Sequence, residues 1–330
     1  MRYWWVNQNQ TYRHEVSGGY LWSPKLKANG ARNPFYDFMR EVAPGDAVFS
    51  FAGTYIKAIG IVRSHAYEAP KPEEFGSAGK TWNRIGWRVD VLFFELHGAI
   101  RPANHMEVIA PLLPDRYAPL STTGGGLQVI YLTRLPERLA EALVDLIGRE
   151  ARDILTGGLA ENLDNLPDQG LGQVQWEERE LELLRDNLDL STTEREAVVI
   201  ARRGQGIFKR NVMKLEGHCR ITKVNRPEHL RASHCKPWRD SSNSERLDGE
   251  NGLLLTPNAD HLFDRGFISF WDNGDVILSP VAHKESLAKL GIDLSPTLNV
   301  GGFSDGQQKY LNFHRESVLL RSTFLESSPP

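Results

Sequence analysis

A set of polar residues at fixed spacing in the last third of the chain constrains the fold more than any other sequence feature. His234 ends a short apolar stretch, and Asn251 opens a second apolar stretch 17 residues later. Asp260 follows nine residues after this asparagine, and Asp264 four residues after that. Because residues four apart share a helix face, both carboxylates point to one side of a helix predicted at residues 258–264.

These residue types suit the hydrolysis of a phosphodiester bond. The reaction needs a base for the attacking water and a cation for the charge that develops on the leaving oxygen. A neutral histidine is a suitable base at about pH 7, and hard carboxylates suit Mg²⁺ or Mn²⁺. We therefore expect His234 to be the base, and Asp260 and Asp264 to hold a divalent metal.

The segments RASHCKPW at 231–238 and NGLLLTPNADHLFDRG at 251–266 resemble the HNH nuclease family. The resemblance implies a ββα unit around one divalent metal. It also implies that His234 is the general base and that Asp260 is the metal ligand on the helix. Asn251 would hold in place the loop that carries the base. The predicted catalytic residues are therefore His234, Asn251 and Asp260.

The metal ligands predicted from this resemblance depart from the family at one position. Many members have Asp or His just before the base, whereas this chain has Ser233. Either Ser233 is a weak or outer ligand, or another side chain such as His261 substitutes. The candidate ligands are Asp260, Asp264 and His261. The chain has only two cysteines, Cys219 and Cys235, so neither a disulfide framework nor the structural zinc of some members is expected.

Charge is segregated along the chain, although the whole protein has a net charge of only −3. Residues 137–196 hold 16 acidic against 6 basic residues, a net of −10, and residues 201–240 hold 11 basic against 3 acidic, a net of +8. A basic block attracts phosphate by counterion release; the alternative is a solvated surface paired with the acidic stretch. The predicted contacts to a DNA backbone are Arg202, Arg203, Lys209, Arg210, Lys236 and Arg239.

Two tryptophans of the N-terminal half stand apart from the aromatic residues that fill a core. Trp22 and Trp82 lie in the polar segments GGYLWSPK and AGKTWNR, which suggests an exposed, loop-like setting. Two facing indoles can hold a planar base between them, and stacking contributes about 1–3 kcal/mol per base. In strand-like residues 3–6, alternation predicts that one tryptophan of the pair Trp4 and Trp5 is buried.

The N-terminal half resembles the EVE domains of the PUA-like superfamily, which are relatives of the YTH readers of modified bases. The resemblance rests on YWWVNQN at 3–9, GYLWSPK at 19–25, PGDAVFSF at 44–51 and AIGIV at 58–62. It implies that Trp22 and Trp82 are the walls of a base cage, with Ser23 beside the first wall. Asn7 and Asn9 lie where a polar side chain could read a base edge.

Length and composition predict two domains in a reduced, cytoplasmic protein. The chain has 330 residues, domains have roughly 100–200 residues, and there is no apolar run of membrane-spanning length. The predicted class is α+β, with an EVE or PUA-like β-barrel at 1–152, a helical linker at 153–200 and a ββα-metal HNH nuclease at 201–330. Predicted strands lie at 47–51, 56–63, 86–96 and 129–132, and predicted helices at 33–42, 136–151, 176–188, 193–202, 205–216 and 258–264.

The combination resembles EVE–HNH modification-dependent restriction endonucleases. It implies that a 5-substituted cytosine, such as 5-methylcytosine or 5-hydroxymethylcytosine, is flipped out of double-stranded DNA while the second domain cuts nearby. Because one site cuts one strand, a double-strand break then needs a homodimer or two successive binding and cleavage events. Two alternatives stay open: an HNH nuclease indifferent to modification, and a modified-base reader whose nuclease half is inactive.

Overall fold

The computed structural model describes residues 1–164, 207–292 and 298–321, except residues 77, 81, 83 and 128 and the side chains of 158–164. The chain forms two compact units, one containing residues 1–164 and the other residues 207–292 and 298–321. The predicted α+β class is confirmed. The helices predicted at 176–188 and 193–202 lie outside the described residues, as do most of the predicted linker and Arg202 and Arg203.

The N-terminal unit is built on a mixed sheet that curls into a half-barrel. Its strand order is β2-β6-β4-β3-β1-β7, with β5 also paired to β6. Among the strands that the structure describes here, β1 and β3 run parallel and the other pairs are antiparallel. The strands are β1 (Tyr3–Asn7), β2 (Tyr20–Pro24), β3 (Ala47–Ala52), β4 (Tyr55–Val62), β5 (Tyr67–Pro70), β6 (Ile85–Ile100) and β7 (Leu132–Leu135).

The helices of this unit are short before β7 and longer after it. They are α1 (Tyr12–Gly18), α2 (Pro34–Asp37), α3 (Met106–Ile109), α4 (Glu137–Ile147) and α5 (Arg149–Asp164). A 3₁₀ turn at Phe38–Glu41 continues α2, so the helix predicted at 33–42 is present in two parts. Asn33 begins it by accepting a hydrogen bond from the Phe35 amide.

Both tryptophans of β1 are fully buried, so the prediction that alternation buries only one of them is wrong. The reason is that both faces of the sheet are covered. Trp5 packs in the cluster that includes Leu139 of α4. Trp4 lies on the other face, 6.3 Å from the ring of Phe38, and its indole nitrogen donates to Asp46 over 2.9 Å.

Two further predictions of this region are corrected. The helix predicted at 136–151 breaks at Gly148, whose φ of 89° suits glycine alone. Helix α5 then begins at Arg149 and runs to Asp164, into the predicted helical linker. The last strand lies at Leu132–Leu135 rather than at 129–132, and Val129 is 72% exposed.

The C-terminal unit contains two small two-stranded sheets and helices packed around one apolar core. Its strands are β8 (Arg231–His234), β9 (Gly252–Leu255), β10 (Ile268–Phe270) and β11 (Val276–Leu278). Its helices are α6 (Ile207–Met213), α7 (Asn243–Leu247), α8 (Pro257–Asp264), α9 (Lys284–Lys289) and α10 (Asp305–Ser317). The antiparallel pair β8–β9 followed by α8 gives the predicted ββα order. The predicted helix at 258–264 is confirmed, and that at 205–216 is present as α6.

Among the residues that the structure describes, no helix combines the length and the apolar character that crossing a bilayer requires.

Candidate functional site

His234 lies at the end of β8, opposite Gly252 of β9. Its imidazole is half-buried, and its Nε2 lies 3.0 Å from the carbonyl oxygen of Arg246. A carbonyl only accepts, so Nε2 carries a hydrogen and Nδ1 is the basic nitrogen of the neutral ring. This tautomer suits a histidine that removes a proton from water.

Asn251 joins β9 to the loop that follows His234. It is fully buried. Its Oδ1 accepts from the amide of Lys236 over 2.8 Å, and its Nδ2 lies 3.2 Å from Ser241 Oγ and 3.0 Å from the carbonyl of Glu245. The side chain therefore bridges two points of the loop between β8 and α7, which is what the family resemblance implied.

Asp260 and Asp264 share one face of α8. The Asp260 side chain is 18% exposed, while Asp264 is exposed. Burial raises the pKa of Asp260, a hydrogen bond from Ser233 lowers it, and the charge of Asp264 raises it again. The structure thus brings Ser233, Asp260 and Asp264 together, and His234 directly follows Ser233 in β8.

This donor set suits a hard cation. Carboxylate and hydroxyl oxygens are ligands of Mg²⁺, which keeps several of its waters; a cation would also offset the two neighbouring negative charges. His261 is exposed and faces Phe267, with 6.5 Å between ring centroids. Within the described ranges, no group of three or more His, Cys, Asp and Glu side chains is close enough to hold a metal.

Two residues beside this site were missed by the sequence analysis. Arg231, counted only as part of the basic block, lies with its Nη1 3.4 Å from Asp260 Oδ2 and is 62% exposed. Phe208, an ordinary core residue by sequence, stacks on the imidazole of His234. Strand alternation could have indicated Arg231, because residues 231 and 233 share a face of β8. No local sequence signal indicates Phe208.

The structure gives the predicted DNA-backbone residues different surroundings. The ammonium of Lys209 donates to the carbonyls of Pro227 and Leu230 over 2.8 and 2.6 Å. Lys236 is paired with Glu245 at 2.7 Å and Arg239 with Asp240 at 3.8 Å. Arg210 is exposed. Part of the basic block is therefore used within the unit, and the role of these residues toward DNA stays a prediction.

Trp22 is buried rather than exposed as its polar neighbours suggested. It lies inside β2, is 1% exposed, and its indole nitrogen donates to the carbonyl of Ala69 over 3.2 Å. The prediction of a loop setting is wrong because β2 pairs with β6, and Gly86 of β6 leaves room for the indole.

The two indoles of the predicted cage face one another. Trp82 is half-buried and stacks on Trp22, with 6.0 Å between centroids and 28° between planes. A base between them would need two stacking distances of about 3.5 Å each, about 7 Å in all. The present 6.0 Å is therefore too short for a base to lie between the indoles. Trp82 and Phe75 pack against Trp22 in one aromatic cluster instead.

The other predicted base-binding residues lie in different places. Ser23 follows Trp22 in β2, so its side chain points to the opposite face of the strand; it is buried, and its Oγ has no hydrogen-bond partner among the described residues. Asn7 Oδ1 accepts from the indole of Trp5, and its Nδ2 donates to the carbonyl of Ile130. Exposed Asn9 accepts from the amide of Gly53 over 2.8 Å.

Comparison with known sequences identifies an HNH endonuclease domain in the C-terminal unit. Residues 219–271 match the family model described as HNH endonuclease. The match includes β8, β9 and α8, and it ends just after β10. No curated protein sequence matches this chain.

Solved structures resemble the N-terminal half of the chain at low identity. A protein from Pseudomonas putida is 13% identical and covers 44% of this chain and 99% of its own, with a TM-score of 0.32. Human THYN1 in complex with DNA containing 5-methylcytosine is 13% identical, covering 45% and 99%, with a TM-score of 0.31. The YTH domain of Zygosaccharomyces rouxii MRB1 in complex with N6-methyladenosine RNA is 10% identical, covering 44% and 86%, with a TM-score of 0.31.

Proposed function

We propose that this protein is a metal-dependent DNA endonuclease whose N-terminal unit directs it to modified cytosine. The observation that carries the proposal is the arrangement of His234, Asn251 and Asp260 on the β8–β9–α8 unit, inside the segment that matches the HNH endonucleases. The modified-base part rests on the N-terminal sequence motifs and on the aromatic cluster around Trp22 and Trp82.

Three residues other than the metal ligands each have a task in this proposal. His234 accepts a proton from the attacking water at Nδ1, because Nε2 donates to the Arg246 carbonyl. Asn251 holds α7, which supplies this carbonyl, by donating to the neighbouring carbonyl of Glu245. Arg231 lies beside Asp260 and binds the phosphate that is cut.

Asp260 and Asp264 would hold the divalent metal, with Ser233 next to it. When bound, Mg²⁺ or Mn²⁺ supplies charge stabilisation for the phosphate oxygens and the leaving oxygen. Asp260 and Ser233 support this site better than His261 does, because Ser233 lies close enough to Asp260 to lower its pKa, whereas His261 faces Phe267.

Recognition uses the N-terminal unit. A flipped base enters between Trp22 and Trp82 after Trp82 moves, because the present separation of 6.0 Å is too short for a base. Flipping costs a few kcal/mol, and stacking returns about 1–3 kcal/mol per base. Of the residues predicted to contact a base edge, exposed Asn9 is the best candidate, because Ser23 is buried and Asn7 bonds to Trp5 and Ile130.

The test uses matched plasmids that contain cytosine, 5-methylcytosine or 5-hydroxymethylcytosine, each with Mg²⁺, Mn²⁺ or EDTA. We expect cutting of modified plasmid with metal and little cutting of unmodified plasmid. Equal cutting of all three would indicate a nuclease indifferent to modification. Preferential binding without cutting would indicate a reader with an inactive nuclease half. His234→Ala is the control for contaminating nucleases.

A further inference from the structure

The ring of Phe208 lies flat against the imidazole of His234. The ring centroids are 3.8 Å apart and the planes differ by only 3°. Phe208 is fully buried in α6, 26 residues before the histidine and outside the segment that matches the HNH endonucleases. The contact is therefore made by an element that the family match does not include.

Glycine at position 252 allows this contact. Gly252 lies opposite His234 in the β8–β9 pair. A Cβ on Gly252 would lie 2.7 Å from Cζ of Phe208 and 2.4 Å from Cγ2 of Val212, closer than real Cβ contacts. Any side chain at 252 would thus displace the ring of Phe208 and the side chain of Val212 from their present positions.

The hydrogen bond and the stacked ring restrain the imidazole in complementary ways. The bond from Nε2 to the Arg246 carbonyl fixes where one ring nitrogen points, but the ring can still rotate about that bond. A parallel aromatic surface removes this rotation, because tilting the imidazole would bring it into the phenyl ring. Catalytic groups must be held to within a fraction of an ångström, so both restraints bear on catalysis.

A second stack in the same unit shows how a purely structural pair differs. His314 lies 3.8 Å from the ring of Phe263 with 2° between planes. Both of its ring nitrogens bond within the core, to the carbonyl of Phe263 and to Ser269 Oγ at 2.9 Å each, and the residue is 1% exposed. His234, by contrast, is half-buried.

We propose that Phe208 is a positioning residue for His234, so that α6 is part of the nuclease site although it precedes the matched segment. Phe208 does not touch the reacting atoms; it fixes the plane of the base. This inference rests on the proposed function for its kinetic consequence, but the stacking and the tautomer of His234 can be measured without cleavage.

The kinetic test compares Phe208→Leu with Val212→Ala in the full chain. Both changes remove buried volume from α6, and Val212→Ala leaves both stacked rings in place. Phe208→Leu should lower kcat about tenfold or more while KM for DNA stays within about twofold, and Val212→Ala should leave kcat within about twofold. Equal kcat in the two variants at similar melting temperatures would overturn the proposal.

The second measurement is NMR of the His234 side chain, which needs no activity. In the wild-type protein we expect the Nε2–H tautomer and ring protons shifted upfield by the phenyl ring. Phe208→Leu should abolish the upfield shift and mix the tautomers. Gly252→Ala should do the same if Phe208→Leu does not fold. Unchanged spectra in either variant would contradict the proposal, even if the wild type cuts no DNA and the proposed function fails.

Discussion

At the scale of single residues, the candidate nuclease site depends on side chains that are held from several directions. His234 contacts the Arg246 carbonyl on one side and the ring of Phe208 on another. Asn251 is fully buried and bonds to Lys236 and Ser241, so we expect it to hold the loop rather than to contact substrate. Substitutions at these residues should therefore change the cleavage rate without a comparable change in DNA affinity.

His234→Ala should abolish cleavage and leave DNA binding within about twofold. Loss of a general base costs about 10²–10⁴ in rate, and His234 does not contribute charge to the basic block. The measurement is single-turnover cleavage of modified plasmid together with a binding titration at fixed salt. Cleavage at nearly the wild-type rate would remove His234 from the role of base.

Asp260→Asn should raise the Mg²⁺ or Mn²⁺ concentration needed for activity more than His261→Ala does. Asp260 lies with Ser233 and Asp264, whereas exposed His261 faces Phe267. Activity is titrated against each metal for both variants. A larger effect of His261→Ala would mean that the histidine is the ligand and that Asp260 serves another purpose.

At the scale of elements, the buried carboxylate of Glu15 connects strand β2 to neighbouring elements of the N-terminal unit. Glu15 of α1 is fully buried and accepts hydrogen bonds from the Trp22 amide over 2.8 Å, Gln8 Nε2 over 2.9 Å and the hydroxyls of Thr11 and Tyr131. Burial raises the pKa of Glu15, against the lowering effect of these bonds. The strand that contains Trp22 is thereby tied to α1 and to the segment before β7.

Glu15→Gln should destabilise this unit by about 1–3 kcal/mol, because the amide nitrogen of glutamine cannot accept from the donors that surround it. Chemical denaturation followed by tryptophan fluorescence measures the change. Tyr131→Phe, which removes one donor and keeps the acceptor, is the matched control and should cost less. Equal stability of Glu15→Gln and the wild type would show that the carboxyl is not needed as an acceptor.

Trp22→Ala should cost about 3–5 kcal/mol of stability, because its indole is almost completely buried. Half-buried Trp82 is the better probe of recognition. Trp82→Ala should lose the preference for modified DNA with a smaller fall in melting temperature. Both variants are compared by thermal melting and by binding to modified and unmodified duplexes. A stable Trp82→Ala protein with unchanged preference would remove Trp82 from the cage.

At the scale of the whole molecule, the chain contains two compact units with separate apolar cores. Only one of them contains the candidate metal ligands. A metal that binds the native C-terminal unit stabilises that unit by mass action, about 2.7 kcal/mol at one hundred times the dissociation constant. The same metal should leave the free energy of unfolding of the N-terminal unit unchanged.

Calorimetry should therefore show two transitions, of which Mg²⁺ raises only one. Glu15→Gln should lower the transition that metal does not affect, and Asn251→Ala the transition that metal raises. Both assignments come from residues buried in one unit only. A shift of both transitions with Mg²⁺, or of the one lowered by Glu15→Gln, would contradict the proposed position of the metal site.

The thiols give an independent test of the metal and redox predictions. Cys219 and Cys235 are both fully buried, and burial raises the pKa of the Cys235 thiol. Both should stay unreactive toward a thiol reagent in the native protein and react after denaturation, with or without a chelator. Chelator-dependent exposure of a thiol would indicate a structural metal that we do not expect.

The sequence by itself determined the ββα order and the residues at its turns, because these depend on local spacing. Asn251, Asp260 and Asp264 lie where periodicity and family resemblance put them. Helix α8 begins at Pro257, a residue suited to a first helical turn. The strands at 47–51, 56–63 and 86–96 are likewise local runs of β-forming residues, and each is present.

Only the tertiary structure decided which side chains are covered and which distant residues meet. Trp22 is buried because β6 pairs with β2 and supplies Gly86, some 64 residues away. Phe208 meets His234 because Gly252 lets α6 approach β9. Burial and long-range contact depend on the packing of whole elements against one another, and no local pattern of residue types encodes that packing.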